Sequence, residues 1–359
     1  MSDEFRLLLK QVGSGTHTSQ SLSQVDAARA TAMMLKQEAT PAQIGAFMIA
    51  HRIRRPTSEE LAGMLDAYAA LGPAVDAIAS PQVYVFCHAY DGRTRTAPVA
   101  PFVGLILASA GIACLFHGGK RMPTKFGVPL AELWQLLGVD WTTLSLQEMQ
   151  RVFAATKLGL VYLPNHFPLA DGLTGYRSEL GKRPPLASME LAWNPYRGPA
   201  TLVSGFVHPP TEERLLKTIQ MREQAGVPPV CKLFVKGLEG SCDLPRNRPC
   251  IMSRHQEGSS ERLILHPQEY GIAGHEVAYE GEAVWARHAQ QVLAGEKSES
   301  GLEAAVVWNS GFYLWQAGQV DDLEAGISQS REILTSGRAR KTLEQLVQAV
   351  SLRSPQQGT

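Results

Sequence analysis

From Ala97 to Phe116 the chain reads APVAPFVGLILASAGIACLF, an uncharged run long enough to span a bilayer as one helix. Pro98, Pro101, Gly104 and Gly111 interrupt it. Proline removes a backbone donor, and glycine leaves the helical region of backbone space at little steric cost. The run therefore reads as a buried helix, a turn at Gly111 and a buried strand over Ile112–Phe116, with no membrane crossing. An apolar strand hidden on both faces belongs in a parallel sheet covered by helices.

The flanking segments extend this pattern. VYVFC, Val83 to Cys87, is a short β-rich strand, and the polar stretch HAYDGRTRT links it to the helix. HGGKRMPTKFG follows the second strand, and Leu130, Leu133, Trp134 and Leu137 then trace a helical face that ends at Gly138. Strand–helix alternation of this kind is the signature of a βαβα unit. Further strands are expected at 158–163, 200–207 and 232–237, with a hairpin-like region and helices such as 303–316 and 323–336 closing the chain. The first seventy or so residues read differently. Ser23, Thr40 before Pro41, and Thr57 each open a helix in capping-box fashion, and Ile44, Phe47, Met48, Leu61, Met64 and Leu65 lie at helical spacing. The expectation is an α/β protein: a small N-terminal helical domain over 1–75, which a later helical segment may complete, a large α/β domain with a mostly parallel central sheet over 76–350, and a tail over 351–359.

Composition narrows the function classes. Thirty-four basic residues balance 34 acidic ones, so no chain-wide attraction to nucleic acid or membrane operates. The five cysteines, Cys87, Cys114, Cys231, Cys242 and Cys250, contain no CxxC, and an odd count suits a reducing, cytoplasmic setting. The N-terminal MSDEFRLLLKQVGSG carries no apolar signal segment. Cys242, Cys250 and His255 fit no standard zinc spacing.

Charge is unevenly placed, however. Arg93, Arg95, Lys120, Arg121 and Lys125 are five cations in a stretch without a single acid. They lie in two glycine-containing loops that leave successive strand ends, where open α/β sheets bind ligands. Thr96 is placed to cap a helix beginning at Ala97, which would aim free backbone N–H groups at an anion beside Arg93 and Arg95. Asp91, Gly92, Arg93, Arg95 and Thr96 from the first loop, with His117, Gly118, Gly119, Lys120, Arg121 and Lys125 from the second, form the candidate phosphate site. No Ser-His-Asp or Cys-His nucleophile pairing is readable. His88, His117, His166 and Asn309 read as structural hydrogen-bonders, and Trp193 and Trp308 as core aromatics.

The order of features resembles the anthranilate phosphoribosyltransferase family. AFMIAHRIRRPTSEEL (Ala46–Leu61) is similar to that family's helix, charged turn and helix start. His117, Gly118, Lys125 and Gly127 match its second loop. Arg177, Leu180, Gly181, Arg183, Asn194 and Pro195 match its Arg-x-x-Leu-Gly-x-Arg segment ending in Asn-Pro. The resemblance implies a phosphoribosyl pyrophosphate type of ligand, an acceptor oriented by Arg177, Mg2+ held by Glu239 and Asp243, no organic cofactor, and a homodimer through the helical domain. Departures fall on the chemistry. The family's Gly-Thr-Gly-Gly-Asp-Gly loop reads Cys87-His88-Ala89-Tyr90-Asp91-Gly92, its second-loop Asn is Gly119, and its Asp-Glu metal pair is Cys242-Asp243. Two expectations follow: a glycosyl (phosphoribosyl) transferase with an altered phosphate loop, or a catalytically silent paralogue that binds single-stranded nucleic acid in a basic groove.

Overall fold

The computed structural model describes residues 3–15, 17–296 and 300–352. Of the expected tail, residues 353–359 lie outside the described residues. Four helices open the chain: α1 (Asp3–Gly13), α2 (Gln24–Leu35), α3 (Pro41–Arg54) and α4 (Ser58–Leu71). Thr40 and Thr57 each accept a hydrogen bond from the backbone of the third helical residue, whose Gln43 or Glu60 side chain reaches back in a full capping box. The next elements are β1 (Val83–Cys87), α5 (Ala100–Ser109), β2 (Ala113–Gly118), α6 (Leu130–Leu136), α7 (Leu146–Thr156) and β3 (Leu158–Tyr162). Four short helices follow, α8 (Leu163–His166), α9 (Pro168–Asp171), α10 (Thr174–Leu180) and α11 (Leu186–Met189). The chain continues through β4 (Thr201–Gly205), α12 (Pro209–Gln224), β5 (Cys231–Val235), β6 (Cys250–Gln256) and β7 (Ser259–Leu265). It ends in α13 (Glu282–Leu293), α14 (Leu302–Gln316), α15 (Leu323–Thr335) and α16 (Arg338–Ser351).

The seven strands form one sheet in the order β3-β2-β1-β4-β5-β6-β7. β1 to β5 pair in parallel, while β6 and β7 add an antiparallel edge. All five residues of β1 are buried, as their unbroken apolar run requires. The 97–116 run divides as its glycines and prolines dictate. α5 is buried along most of its length against β2, α14 and α16, Gly111 turns at φ +92°, and β2 enters the sheet. Among the described residues no helix is long and apolar enough to cross a membrane.

α1 packs on α3 and α2 on α4, and α4 in turn lies against α12 of the α/β region. The segment carrying α8–α11 returns to this helical layer: Tyr176 donates to Gln37 Oε1 (2.6 Å), and the Tyr68 ring meets Phe167 edge-on with centroids 5.0 Å apart. A fully buried Glu60 ties the layer together. It accepts from the backbone of Leu22 and Thr57, both at 2.8 Å, and meets His51 and Arg54. That knot fixes the last turn of α3 and its C-cap, which carry Arg52 and Arg55 to the edge of the α/β region.

Candidate functional site

Strand order reverses between β1 and β4, which makes a crevice at the carboxyl end of the sheet. The loops after β1, β2, β4 and β5 meet there. The two basic loops are stitched to each other: Gly127 N–H donates to Asp91 O (3.0 Å), Val128 N–H to Arg93 O (3.0 Å) and Lys125 Nζ to Gly92 O (3.0 Å). Gly92, at φ +72°, and Gly127 lie back to back, and a Cβ on either would sit about 2.5 Å from the other loop's backbone. These glycines serve contact between loops. Nothing lies within 4 Å of a Cβ placed on Gly118.

The expected free cationic cleft at these loops is not what the structure presents, because almost every charge has a carboxylate of its own. Lys120 pairs with Asp171 (3.0 Å) and points toward α9. Arg121 is clamped between Glu132 and Glu282. Lys125 lies between Asp91 (3.7 Å) and Glu239 (4.0 Å), and its pKa is pushed down, chiefly by burial. Arg93 is buried on Asp243, with Glu239 at 3.7 Å. Arg95 is exposed, yet its Nε also faces Glu239 at 3.7 Å. Stretch-wise counting hid these partners, since the acids come from distant parts of the chain. Thr96 does not cap a helix either. α5 begins at Ala100, after Val99, whose N–H donates to Asp243 Oδ2 (3.1 Å), while Thr96 N–H and Oγ1 both donate to Glu239 Oε1 (3.0 and 2.8 Å). Pro98 disfavours a helical Ala97, and Pro101 fits the first turn of the helix that starts at Ala100.

Glu239 and Asp243 do come together, as the metal expectation requires, but their oxygens are already used. Asp243 accepts from the Arg93 guanidinium and from Val99. Glu239 accepts backbone N–H groups of Thr94 (3.3 Å), Arg95 (3.1 Å) and Thr96. A hard divalent cation needs several free oxygens, and a guanidinium lies here where one would sit. No group of three or more His, Cys, Asp or Glu side chains is placed to hold a metal among the described residues. The pair therefore does not fit magnesium. Burial alone would raise the pKa of Glu239, but the Thr96 hydroxyl, the Thr94 and Thr96 N–H groups and Arg93 outweigh it and bring it to about 2.

Where the glycine loop of the resemblance would lie, side chains fill the space. Tyr90 Oη is 2.5 Å from His117 Nδ1, and His117 Nε2 is 3.4 Å from Cys87 Sγ. Burial lowers the pKa of His117 to about 3 and raises that of the Cys87 thiol, so this contact holds the loop and activates no nucleophile. The space left among His88, Tyr90, Arg93, His117 and Asp243 is about 50 Å³, room for a few waters. Arg177, expected on the acceptor side, is buried in a two-pronged pair with Glu190. Arg183 is likewise held by Asp91.

A much larger cleft, about 920 Å³, opens beside this small space, between the helical layer and the ends of β1 and β4. Arg52, Arg55, Arg183 and Arg214 line it. Arg52 donates to the carbonyl of Arg183 (2.6 Å), and Arg55 and Arg214 have no carboxylate within ion-pair distance among the described residues. Arg52 and Arg55 belong to the His51–Arg55 stretch inside the Ala46–Leu61 segment, for which the sequence analysis gives no binding role, and Arg214 is not among its site residues. The signal for Arg55 was present in that run; nothing local marks Arg214, which α12 brings across from more than 150 residues away.

Residues 6–72 match the helical bundle domain of a glycosyl transferase family, and residues 92–340 match the a/b domain of that family. The anthranilate phosphoribosyltransferase of Azorhizobium caulinodans is 27% identical over 360 residues, 99% of each chain. That of Xanthobacter autotrophicus is 26% identical over 358 residues, again 99% of each. Among solved structures, anthranilate phosphoribosyltransferase from Thermus thermophilus superposes with a TM-score of 0.78 at 22% identity, covering 97% of this chain and 99% of that one. The Saccharomyces cerevisiae enzyme in complex with PRPP and Mg gives 0.80 at 16% identity, covering 97% and 98%. With both domains matched in order along most of its length, the chain belongs to the glycosyl transferase family that includes the anthranilate phosphoribosyltransferases.

Proposed function

We propose that this protein binds a phosphate-bearing ligand in the inter-domain cleft without carrying out the anthranilate transfer of its relatives. One contrast carries the reading: the cleft of about 920 Å³ has arginines without carboxylate partners among the described residues, whereas the space beside the two glycine loops measures about 50 Å³. A pocket for a ligand of phosphoribosyl pyrophosphate size needs several hundred Å³. Guanidinium groups pair with phosphate through two parallel hydrogen bonds, so Arg55 and Arg214, from neighbouring elements, would grip the ligand together, with Arg52 alongside. A relative crystallised with PRPP and Mg supports the ligand class. In this reading magnesium travels on the ligand's own phosphates. A homodimer through the helical domain belongs to the same proposal, supported by Leu7 and Val25, apolar side chains 67% and 75% exposed on α1 and α2.

A second reading, single-stranded nucleic acid in the same cleft, is favoured by size and by apolar side chains beside the charges. The cleft exceeds what one pyrophosphate occupies, and Ile53 (77% exposed) and Val207 (44%) line it. Calorimetric titration with magnesium phosphoribosyl pyrophosphate, beside a short oligonucleotide, at low and high salt tests both. Binding is expected to weaken with salt and to fall sharply in Arg55→Ala/Arg214→Ala. For an oligonucleotide the salt slope should drop by about 0.7 per phosphate contact removed. Absence of binding to both ligands at low salt defeats the proposal, as does phosphoribosylation of added anthranilate.

A further inference from the structure

The N–H groups of the Arg93–Thr96 loop converge on one point without starting a helix, and we propose that they form an oxyanion cradle whose resident occupant is the protein's own Glu239 carboxylate. The donors around Glu239 carry this proposal, and they do not depend on the volume of the cleft. Three successive backbone N–H groups, from Thr94, Arg95 and Thr96, converge on the Glu239 carboxylate at 3.0–3.3 Å. The hydroxyls of Thr94 (3.4 Å) and Thr96 (2.8 Å) add two donors. Arg93, Arg95 and Lys125 lie 3.7–4.0 Å from the same carboxylate. Consecutive amides backed by cations are the arrangement proteins use for phosphate. One buried donor, Arg93 Nε, points at Glu239 yet is too far to hydrogen-bond and finds no other partner. A planar carboxylate leaves that donor unfilled, where a tetrahedral oxyanion with more acceptor oxygens would reach it.

Glu239 lies where the cleft of about 920 Å³ adjoins the smaller space of about 50 Å³, and it lines both, as Ala89 and Tyr90 do. Its backbone is left-handed, at φ 54°, a conformation that favours glycine. A strained residue that keeps a bulky acid in a bed of donors suits a plug better than a spacer. Being tethered, the carboxylate acts at a high effective concentration, and a free anion in solution does not displace it.

The test uses inorganic pyrophosphate, titrated calorimetrically into full-length protein carrying Arg55→Ala/Arg214→Ala, which removes the cleft's own anion grip. Adding Glu239→Gly deletes the plug and relieves the backbone. The expected result is pyrophosphate affinity raised by about tenfold or more over the cleft-silenced parent, one charge-assisted contact's worth. Glu239→Gln in the same background keeps the bulk but loses the charge, and pyrophosphate should raise its thermal midpoint while leaving the parent's unchanged. Should Glu239→Gly fail to fold alone yet fold with pyrophosphate present, the cradle is equally supported. Affinity equal to the parent's in a folded Glu239→Gly protein overturns the proposal. If Glu239→Gly does not fold under either condition, the absence of a pyrophosphate response in Glu239→Gln overturns it. Because the cleft arginines are absent throughout, failure here leaves the cleft reading standing, and failure of the cleft reading leaves this one standing.

Discussion

Arg177 lines the cleft together with Glu190 and offers a sharp test of whether the two are an internal tie or a ligand grip. An arginine that grips a ligand keeps most of its donors free of protein partners. Arg177 is 4% exposed; its Nη1 donates to Glu190 Oε2 (3.1 Å) and its Nη2 to Oε1, while Nη1 also lies 3.3 Å from Met122 Sδ. Glu190 is 1% exposed. Arg177→Met leaves a carboxylate buried without its partner, which costs about 3–5 kcal/mol. Glu190→Leu leaves a buried guanidinium and costs a similar amount. The double variant removes both charges and fills the space with apolar atoms, so it should fall within about 2 kcal/mol of the parent. The two single losses are then far from additive, with a coupling of about 3 kcal/mol or more. Urea unfolding at neutral pH, followed by far-ultraviolet circular dichroism and tryptophan fluorescence, measures all four corners of the cycle. If Arg177→Met costs under about 1 kcal/mol, or if the double variant loses the sum of the singles, the pair is not an internal tie and the reasoning fails.

Two further stability predictions come from the helical layer. Burial would raise the Glu60 pKa, but hydrogen bonding and charge from His51, with the Thr57 and Leu22 N–H groups, hold it at about 2 against an unfolded value of 4.5. A depressed carboxyl stabilises the fold fully above pH 4.5 and loses that contribution, about 3 kcal/mol, as pH falls toward 2. Thermal midpoints across this window should drop in the parent and drop much less in Glu60→Gln; equal slopes in the two proteins refute the assignment. In Gly63→Ala, the new Cβ would lie 2.1 Å from Gln24 O and 2.8 Å from Ala28 N, so α2 and α4 must part. The expected loss is about 2 kcal/mol or more, read from denaturant midpoints, and a neutral result would mean the helices are not this close.

Much of the fold is legible because its signals are local. A threonine before Pro41 and another before Ser58 cap helices through atoms three residues away. The glycines and prolines of 97–116 divide helix from strand wherever the segment is placed. His117, Asn309 and Trp308 also behave as their sequence settings suggest: Asn309 accepts from Leu244 N–H (2.6 Å), and Trp308 Nε1 donates to Pro245 O (3.1 Å). The short helices between Leu163 and Met189 were not legible, since runs of four to seven residues carry too few turns for a period to show.

The site divides along the same line. Residue type and spacing along the chain were enough to establish which loops would meet, which of them would carry cations, and which family pattern the order of elements follows. The state of those cations was decided by folding alone. Asp243 and Glu239 reach Arg93 across about 150 residues, Asp171 reaches Lys120 across 51, and Glu282 reaches Arg121 across 161. Coulomb attraction depends on distance in space and on burial, and neither is written in the local sequence. A stretch without acids therefore folds into a neutralised loop pair, while Arg55 and Arg214, two arginines without a carboxylate partner among the described residues, are brought to a single cleft by the packing of α12 against α4.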